Sequence, residues 1–188
     1  MQYLKAYLKK ISDRGNTKLA DSISKTAEDV GSKYIKTFSF SEHKIGLLFG
    51  NVQSGKTGQM FGILCKAADL GFPVFLLLTT DNVVLQQQTL DRVKSDLDGF
   101  CICGENDARL FMENSLIQPA VIVLKKNVRV LKLWSNILNS TGFMRGNPLF
   151  IIDDEADAAS LNTLVNRDRQ SSINRYLDII KNGASSSL

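Results

Sequence analysis

Residues 45–57 read Ile45-Gly46-Leu47-Leu48-Phe49-Gly50-Asn51-Val52-Gln53-Ser54-Gly55-Lys56-Thr57. An apolar run of strand length leads into the pattern GxxxxGKT, and a helical segment follows it. Glycines let such a loop turn with positive φ and let backbone N–H groups approach phosphate oxygens closely. The N-terminus of the following helix favours the same anion. We therefore predict that the phosphates of ATP are held by Gly50, Asn51, Val52, Gln53, Ser54, Gly55, Lys56 and Thr57.

The remaining chain alternates apolar runs with helical segments, which indicates strands buried on both faces of a mostly parallel sheet. Residues 1–37 differ, because their apolar side chains recur at helical spacing on either side of a break at Gly15-Asn16. We predict an α/β fold with an N-terminal helical extension at residues 1–40 and an ATP-binding lobe at residues 41–188. Strands are expected at residues 45–49, 74–78, 120–124 and 149–152, with residues 100–103 as a short extra candidate.

An acidic cluster follows the last apolar run and contains Asp153, Asp154, Glu155 and Asp157. Neighbouring carboxylates repel one another, so a cation or a basic partner is expected to compensate them. In P-loop ATPases an acid at the end of a strand helps to hold Mg²⁺ together with the loop hydroxyl, here Thr57. We assign Asp154 as the Mg²⁺-associated acid, with Asp153 as the alternative. The competing interpretation of the cluster is an acidic helix start.

The predicted chemistry is hydrolysis of ATP. Lys56 would contact the β- and γ-phosphates, and Glu155 would act as the base that deprotonates the attacking water.

Polar residues also follow the strands predicted at residues 74–78 and 120–124. Carboxyl ends of strands are where open α/β sheets bind ligands. Helix capping by Thr80 or Asp81 and a solvated basic loop explain the two sets equally well. The candidates are Thr79, Thr80, Asn82 and Arg92 in the first set, and Lys125, Lys126 and Asn127 in the second.

Composition excludes several classes of protein. The chain has 188 residues, of which 44% are hydrophobic and 22% charged, as in a globular domain with its own core. Three cysteines give no disulfide framework, and no apolar run approaches the ~20 residues that span a bilayer. We therefore expect a cytoplasmic protein with no membrane partner. A net charge of +4 is compatible with nucleic acid but does not require it.

The two motifs together resemble known families. Gly55-Lys56-Thr57 and Asp154-Glu155-Ala156-Asp157 are similar to motifs I and II of superfamily-two helicases. A closer resemblance is to the Z-one domain family of bacterial, endonuclease-associated restriction and defence proteins. That family shares the loop Gly-Asn-x-Gln-Ser-Gly-Lys-Thr, and the similarity covers roughly residues 45–182. Its other shared positions are Thr80-Asp81-Asn82, Leu85, Gln88, Thr89, Arg92, the segment from Ile152 to Asp157, Ala159-Ser160 and Asn162-Thr163.

The resemblance implies a RecA-like lobe of a DNA-dependent ATPase or translocase, in a bacterial restriction-modification or phage-defence system. It also implies that the polar residues after the strands contact DNA. The chain lacks the second lobe and the nuclease domain of such proteins and ends near the expected motif III. We therefore expect a weak or inactive ATPase in isolation, since arginine fingers come from the second lobe. The alternatives are a small-molecule P-loop kinase and a non-catalytic nucleotide-switch module.

Overall fold

A computed structural model describes residues 2–46, 55–140, 145–154 and 172–188. Five strands form one sheet in the order β2-β3-β1-β4-β5, and every pairing is parallel. The central strands β1 and β3 are almost wholly buried, which explains their continuous apolar sequences. The strands are β1 (Val74–Thr79), β2 (Cys101–Cys103), β3 (Ala120–Lys125), β4 (Pro148–Asp153) and β5 (Ser186–Ser187).

Helices cover both faces of the sheet and confirm the predicted α/β class. One face packs against the first four helices, and the other packs against the last three. The helices are α1 (Tyr3–Asp13), α2 (Thr17–Val30), α3 (Lys56–Asp69), α4 (Val83–Asp96), α5 (Ala108–Asn114), α6 (Val128–Ser140) and α7 (Ser172–Gly183), and a π-helical turn (Gly31–Ile35) continues α2.

The two N-terminal helices share a hydrophobic core with the sheet. Helix α2 lies so close to α3 that a Cβ at Gly62 would collide with the side chain of Ile23. Asp69, at the end of α3, accepts hydrogen bonds from the backbone N–H groups of Tyr3 (2.7 Å) and Leu4 (3.1 Å) at the start of α1. These contacts fix α3 from the side that faces away from the sheet.

Tyr7 connects α1 with the first turn of α3. Its hydroxyl donates to the carbonyl oxygen of Gly58 at 3.4 Å. Burial raises the pKa of the Tyr7 phenol well above its ordinary value, and the charge of Asp96 adds to the effect. The phenol therefore stays neutral and remains a donor to α3.

Two elements were not predicted from the sequence, and one prediction is corrected in part. Helix α5 and strand β5 are short additions to the predicted order. The first predicted strand was expected to begin at Ile45, yet Ile45 and Gly46 have no strand pairing and Ile45 is 92% exposed. Pairing at this edge is instead seen for the preceding residues, where His43 forms a bridge with Ser187 of β5. Residues 47–49 of that prediction lie outside the described part of the chain.

Candidate nucleotide-binding site

The end of the predicted phosphate loop is built around a left-handed glycine. Gly55 has φ +73° and is the N-cap of α3, so Lys56 and Thr57 are the first residues of that helix. A left-handed conformation costs glycine little and costs other L residues roughly 1–2 kcal/mol, which explains the residue type at this position. Lys56 is exposed and Thr57 is half-buried. Residues 50–54 of the predicted loop lie outside the described residues.

The chain enters this region alongside β5. His43 forms a parallel bridge with Ser187, and their side chains approach to 2.8 Å between Nδ1 and Oγ. The backbone N–H of Lys44 donates to the Ser187 carbonyl at 2.9 Å, and the N–H of Ser187 donates to the Glu42 carbonyl at 3.2 Å. Residues 42–44 therefore run in the direction of the strands, as the approach to a strand–loop–helix unit requires.

A cleft of about 170 Å³ lies at the carboxyl ends of β1 and β4. Its wall on α4 uses residues at positions i, i+3, i+4 and i+7, which form one face of a helix. Leu85, Gln88 and Thr89 were not predicted as site residues, and this spacing is the signal that could have identified them. The lining residues are Thr79, Thr80, Leu85, Gln88, Thr89, Arg92 and Asp154.

Arg92 connects the cleft with the start of α3. Its Nη1 donates a long hydrogen bond of 3.5 Å to Oγ1 of Thr57. Of the two residues predicted to ligate Mg²⁺, Thr57 therefore bonds to Arg92 and Asp154 lines the same cleft as Arg92. Carboxylate and hydroxyl oxygens are the hard ligands that Mg²⁺ prefers, so this donor set suits that ion. Within the described ranges, no group of three or more His, Cys, Asp or Glu side chains forms a metal cluster.

The structure separates the two aspartates that the sequence left as alternatives. Asp153 Oδ1 accepts a hydrogen bond of 2.8 Å from Nζ of Lys126, whose side chain is fully buried. Lys126 also donates to the carbonyl oxygen of Asp154 at 2.9 Å, whereas the Asp154 side chain lines the cleft. Geometry therefore favours Asp154 over Asp153 as a ligand for a bound cation. Glu155 and Asp157 lie outside the described residues.

Among the first set of polar candidates, Thr79 and Asn82 have structural roles. Thr79 is buried, and its hydroxyl donates to the carbonyl oxygens of Thr80 (3.3 Å) and Leu124 (3.4 Å). Asn82 is the N-cap of α4 and accepts from the N–H groups of Val84 (2.9 Å) and Leu85 (3.2 Å). The alternative prediction, that Thr80 or Asp81 caps the helix, is therefore wrong, because the cap is Asn82.

The second set is arranged around neighbouring acids. Lys125 lies 3.6 Å from Glu105 between Nζ and Oε2, and the amide of Asn127 donates to both carboxylate oxygens of Asp81 (3.2 and 3.1 Å). Lys126 is 1% exposed, so the prediction of a solvated side chain is wrong for this residue. The side chains of Lys125 and Asn127 bridge loops at the carboxyl edge of the sheet.

Comparisons with protein-family models, with curated proteins and with solved structures gave no match to this chain. The resemblance to the Z-one family therefore rests on its motifs alone, and a DNA partner stays a prediction. No helix in the described ranges is both long enough and apolar enough to cross a bilayer.

Proposed function

We propose that this chain is the nucleotide-binding lobe of a RecA-like P-loop ATPase. The observation that carries the proposal is that Arg92, which lines a cleft with Asp154 at the carboxyl ends of parallel strands, also bonds to Thr57 at the start of α3. Open α/β sheets bind ligands at this edge. The left-handed Gly55 before α3 and the parallel approach through residues 42–44 support the interpretation of the GxxxxGKT pattern as a phosphate loop.

In this proposal the first turn of α3 binds the phosphates. The ammonium of Lys56 would neutralise the β- and γ-phosphates, and the N-terminus of α3 would add favourable partial charge. Thr57 and Asp154 would hold Mg²⁺, which when bound neutralises charge on the phosphate oxygens. Glu155, predicted from the sequence, would accept a proton as water attacks the γ-phosphorus and the bond to the leaving ADP breaks.

Coupling to DNA is the second part of the proposal. It is supported by the resemblance to helicases and Z-one proteins and by the net charge of +4. A single lobe offers few phosphate contacts, so binding of DNA by this chain is expected to be weak and to fade with salt. The small-molecule kinase and the non-catalytic nucleotide switch remain the alternatives. Turnover of ATP would require a small acceptor in the kinase, would be absent in the switch and would respond to DNA in the proposed ATPase.

Titration of a fluorescent ATP analogue in the presence of Mg²⁺ tests the first part. Lys56→Ala should abolish measurable binding while far-UV circular dichroism stays unchanged, because Lys56 is exposed and contributes charge rather than packing. Lys132→Ala, at an exposed position of α6 on the other face of the sheet, is the matched control and should bind as the parent does. Equal affinity in parent and Lys56→Ala would refute the assignment of the phosphate loop.

A further inference from the structure

Arg92 lines a cleft and, unlike Arg14 and Arg109, forms no ion pair with the described residues. Arg14 pairs with Asp96 at 2.6 Å and Arg109 with Glu113 at 2.7 Å. Within the described ranges, no carboxylate lies within 4.0 Å of the Arg92 guanidinium, and its hydrogen bond is the long one to Thr57. A guanidinium carries five N–H donors in a planar fork, so most of its capacity at this cleft is available to an anion.

The cleft beside Arg92 also contains an unpaired hydroxyl. Oγ1 of Thr80 is screened from solvent and has no hydrogen-bond partner. Such a group costs free energy unless something completes its bonding. Thr80 and Arg92 line the same cleft, and Asp154 lies there too. A tetrahedral anion with several oxygen acceptors would suit the free donors of the guanidinium in this cleft.

We infer that Arg92 binds the terminal phosphate of the nucleotide from within the same chain. The inference rests on the proposed function, since it needs a nucleotide in the loop. Loop N–H groups at the start of α3 would hold the inner phosphates, whereas Mg²⁺ held with the help of Thr57 would neutralise charge on the outer ones. Arg92 bonds to Thr57 and lines the same cleft as Asp154, so a phosphate beside the predicted Mg²⁺ ligands would lie next to its guanidinium.

This assignment differs from the DNA contact that the family resemblance implies for Arg92. The side chain extends from the exposed face of α4 back to α3, and its Nη1 points at the hydroxyl of Thr57. A DNA phosphate would have to enter the cleft next to the nucleotide in order to contact the Arg92 guanidinium. A guanidinium on the γ-phosphate would let one lobe distinguish ATP from ADP before any second lobe closes.

The test compares affinities for fluorescent ATP and ADP analogues, both with Mg²⁺, in three variants. Arg92→Ala should lose roughly 10- to 100-fold in ATP affinity and less than about threefold in ADP affinity, because a charge-assisted contact is lost with the terminal phosphate only. Arg92→Lys should fall between parent and Arg92→Ala, since lysine keeps the charge but not the fork. Arg109→Ala, on the exposed helix α5, is the matched control and should match the parent.

Each other outcome overturns the inference in a recognisable way. Equal losses for ATP and ADP would place Arg92 on the inner phosphates, and tighter Mg²⁺-ATP binding in Arg92→Ala would mean that the arginine competes with the metal. A loss of DNA affinity with unchanged ATP affinity would make Arg92 a nucleic-acid contact. If parent and Arg109→Ala bind neither nucleotide, the proposed function fails and the inference fails with it.

Discussion

Exchange of Asp153 for asparagine should destabilise the fold, whereas the same exchange at Asp154 should leave its stability nearly unchanged. The side chain of Lys126 is 0% exposed, and its ammonium lies 2.8 Å from a carboxylate oxygen of Asp153. Asparagine preserves the volume of Asp153 but removes its negative charge. The buried ammonium of Lys126 then loses the charge that compensates its desolvation.

The magnitude follows from this burial. Breaking a buried ion pair by removal of one partner typically costs about 3–5 kcal/mol. For a chain of this size, each kcal/mol lowers the melting temperature by roughly 2–4 °C, so Asp153→Asn should melt about 6–20 °C below the parent. Asp154 contributes its backbone carbonyl to Lys126, and that group is unaffected by the substitution. Asp154→Asn should therefore stay within about 0.5 kcal/mol of the parent.

Urea denaturation and thermal melting, both followed by circular dichroism without nucleotide, measure the difference. Addition of Lys126→Met to Asp153→Asn should recover much of the lost stability, because an apolar side chain of similar length needs no counter-charge. In nucleotide titrations Asp154→Asn should be the more affected of the two variants and should lose Mg²⁺-dependent binding. Equal stability of Asp153→Asn and Asp154→Asn would refute the structural role of the Lys126–Asp153 pair.

Two further predictions concern the helices behind the site. Gly62→Ala should lower the free energy of unfolding by about 1–3 kcal/mol, because the collision of the new Cβ with Ile23 outweighs the ~1 kcal/mol that alanine gains in a helix. In Gly58→Ala the closest contact of the new Cβ is Cδ1 of Ile23 at 3.1 Å, so the loss of stability should be smaller. Urea denaturation measures both, and equal stabilities would contradict this packing. Burial raises the pKa of Tyr7 above the ordinary 10.0, so above about pH 10 the unfolded chain loses the proton first and the free energy of unfolding falls as pH rises. Urea melts should show a shallower fall in Tyr7→Phe, and an identical pH slope would refute the contribution of this phenol.

The order of elements was largely predictable because buried strands and amphipathic helices leave periodic signals. The continuous apolar runs at residues 74–78 and 120–124 match β1 and β3, and the uncertain strand near residue 100 is present as β2. Helix α1 buries Leu4, Tyr7 and Ile11, as helical spacing predicted. Such patterns record burial directly, so sequence alone is sufficient to identify them.

The elements that were missed lack this kind of signal. Strand β5 consists of Ser186 and Ser187, which show no apolar pattern. These residues join the sheet through pairing with β4 and with residues 42–44. Helix α5 has only seven residues, and Phe111 is its one buried residue. Two turns of helix with one buried side chain do not produce a recognisable period.

Site residues were harder to rank than elements, because their roles depend on contacts between distant segments. Lys125 and Lys126 are adjacent and identical in type, yet only Lys126 is fully buried and directed at Asp153. Likewise, the adjacent Asp153 and Asp154 differ in surroundings, because Asp153 pairs with a buried ammonium and Asp154 lines the cleft. Local sequence gives the residue type, whereas the role of each side chain depends on the strands and helices packed around it.

The N-terminal helices take part in the geometry of the candidate site. A Cβ at Gly55 would lie 3.1 Å from the Leu19 side chain of α2, and the Tyr7 hydroxyl of α1 bonds to the Gly58 carbonyl in the first turn of α3. Because α1 and α2 share a core with α3 and the sheet, they hold the helix that presents Lys56 and Thr57. Rigid support of this kind matters for phosphate chemistry, which depends on positioning and charge stabilisation more than on covalent steps by the protein. Residues that precede the motif by 30 or more positions are therefore part of what orients it.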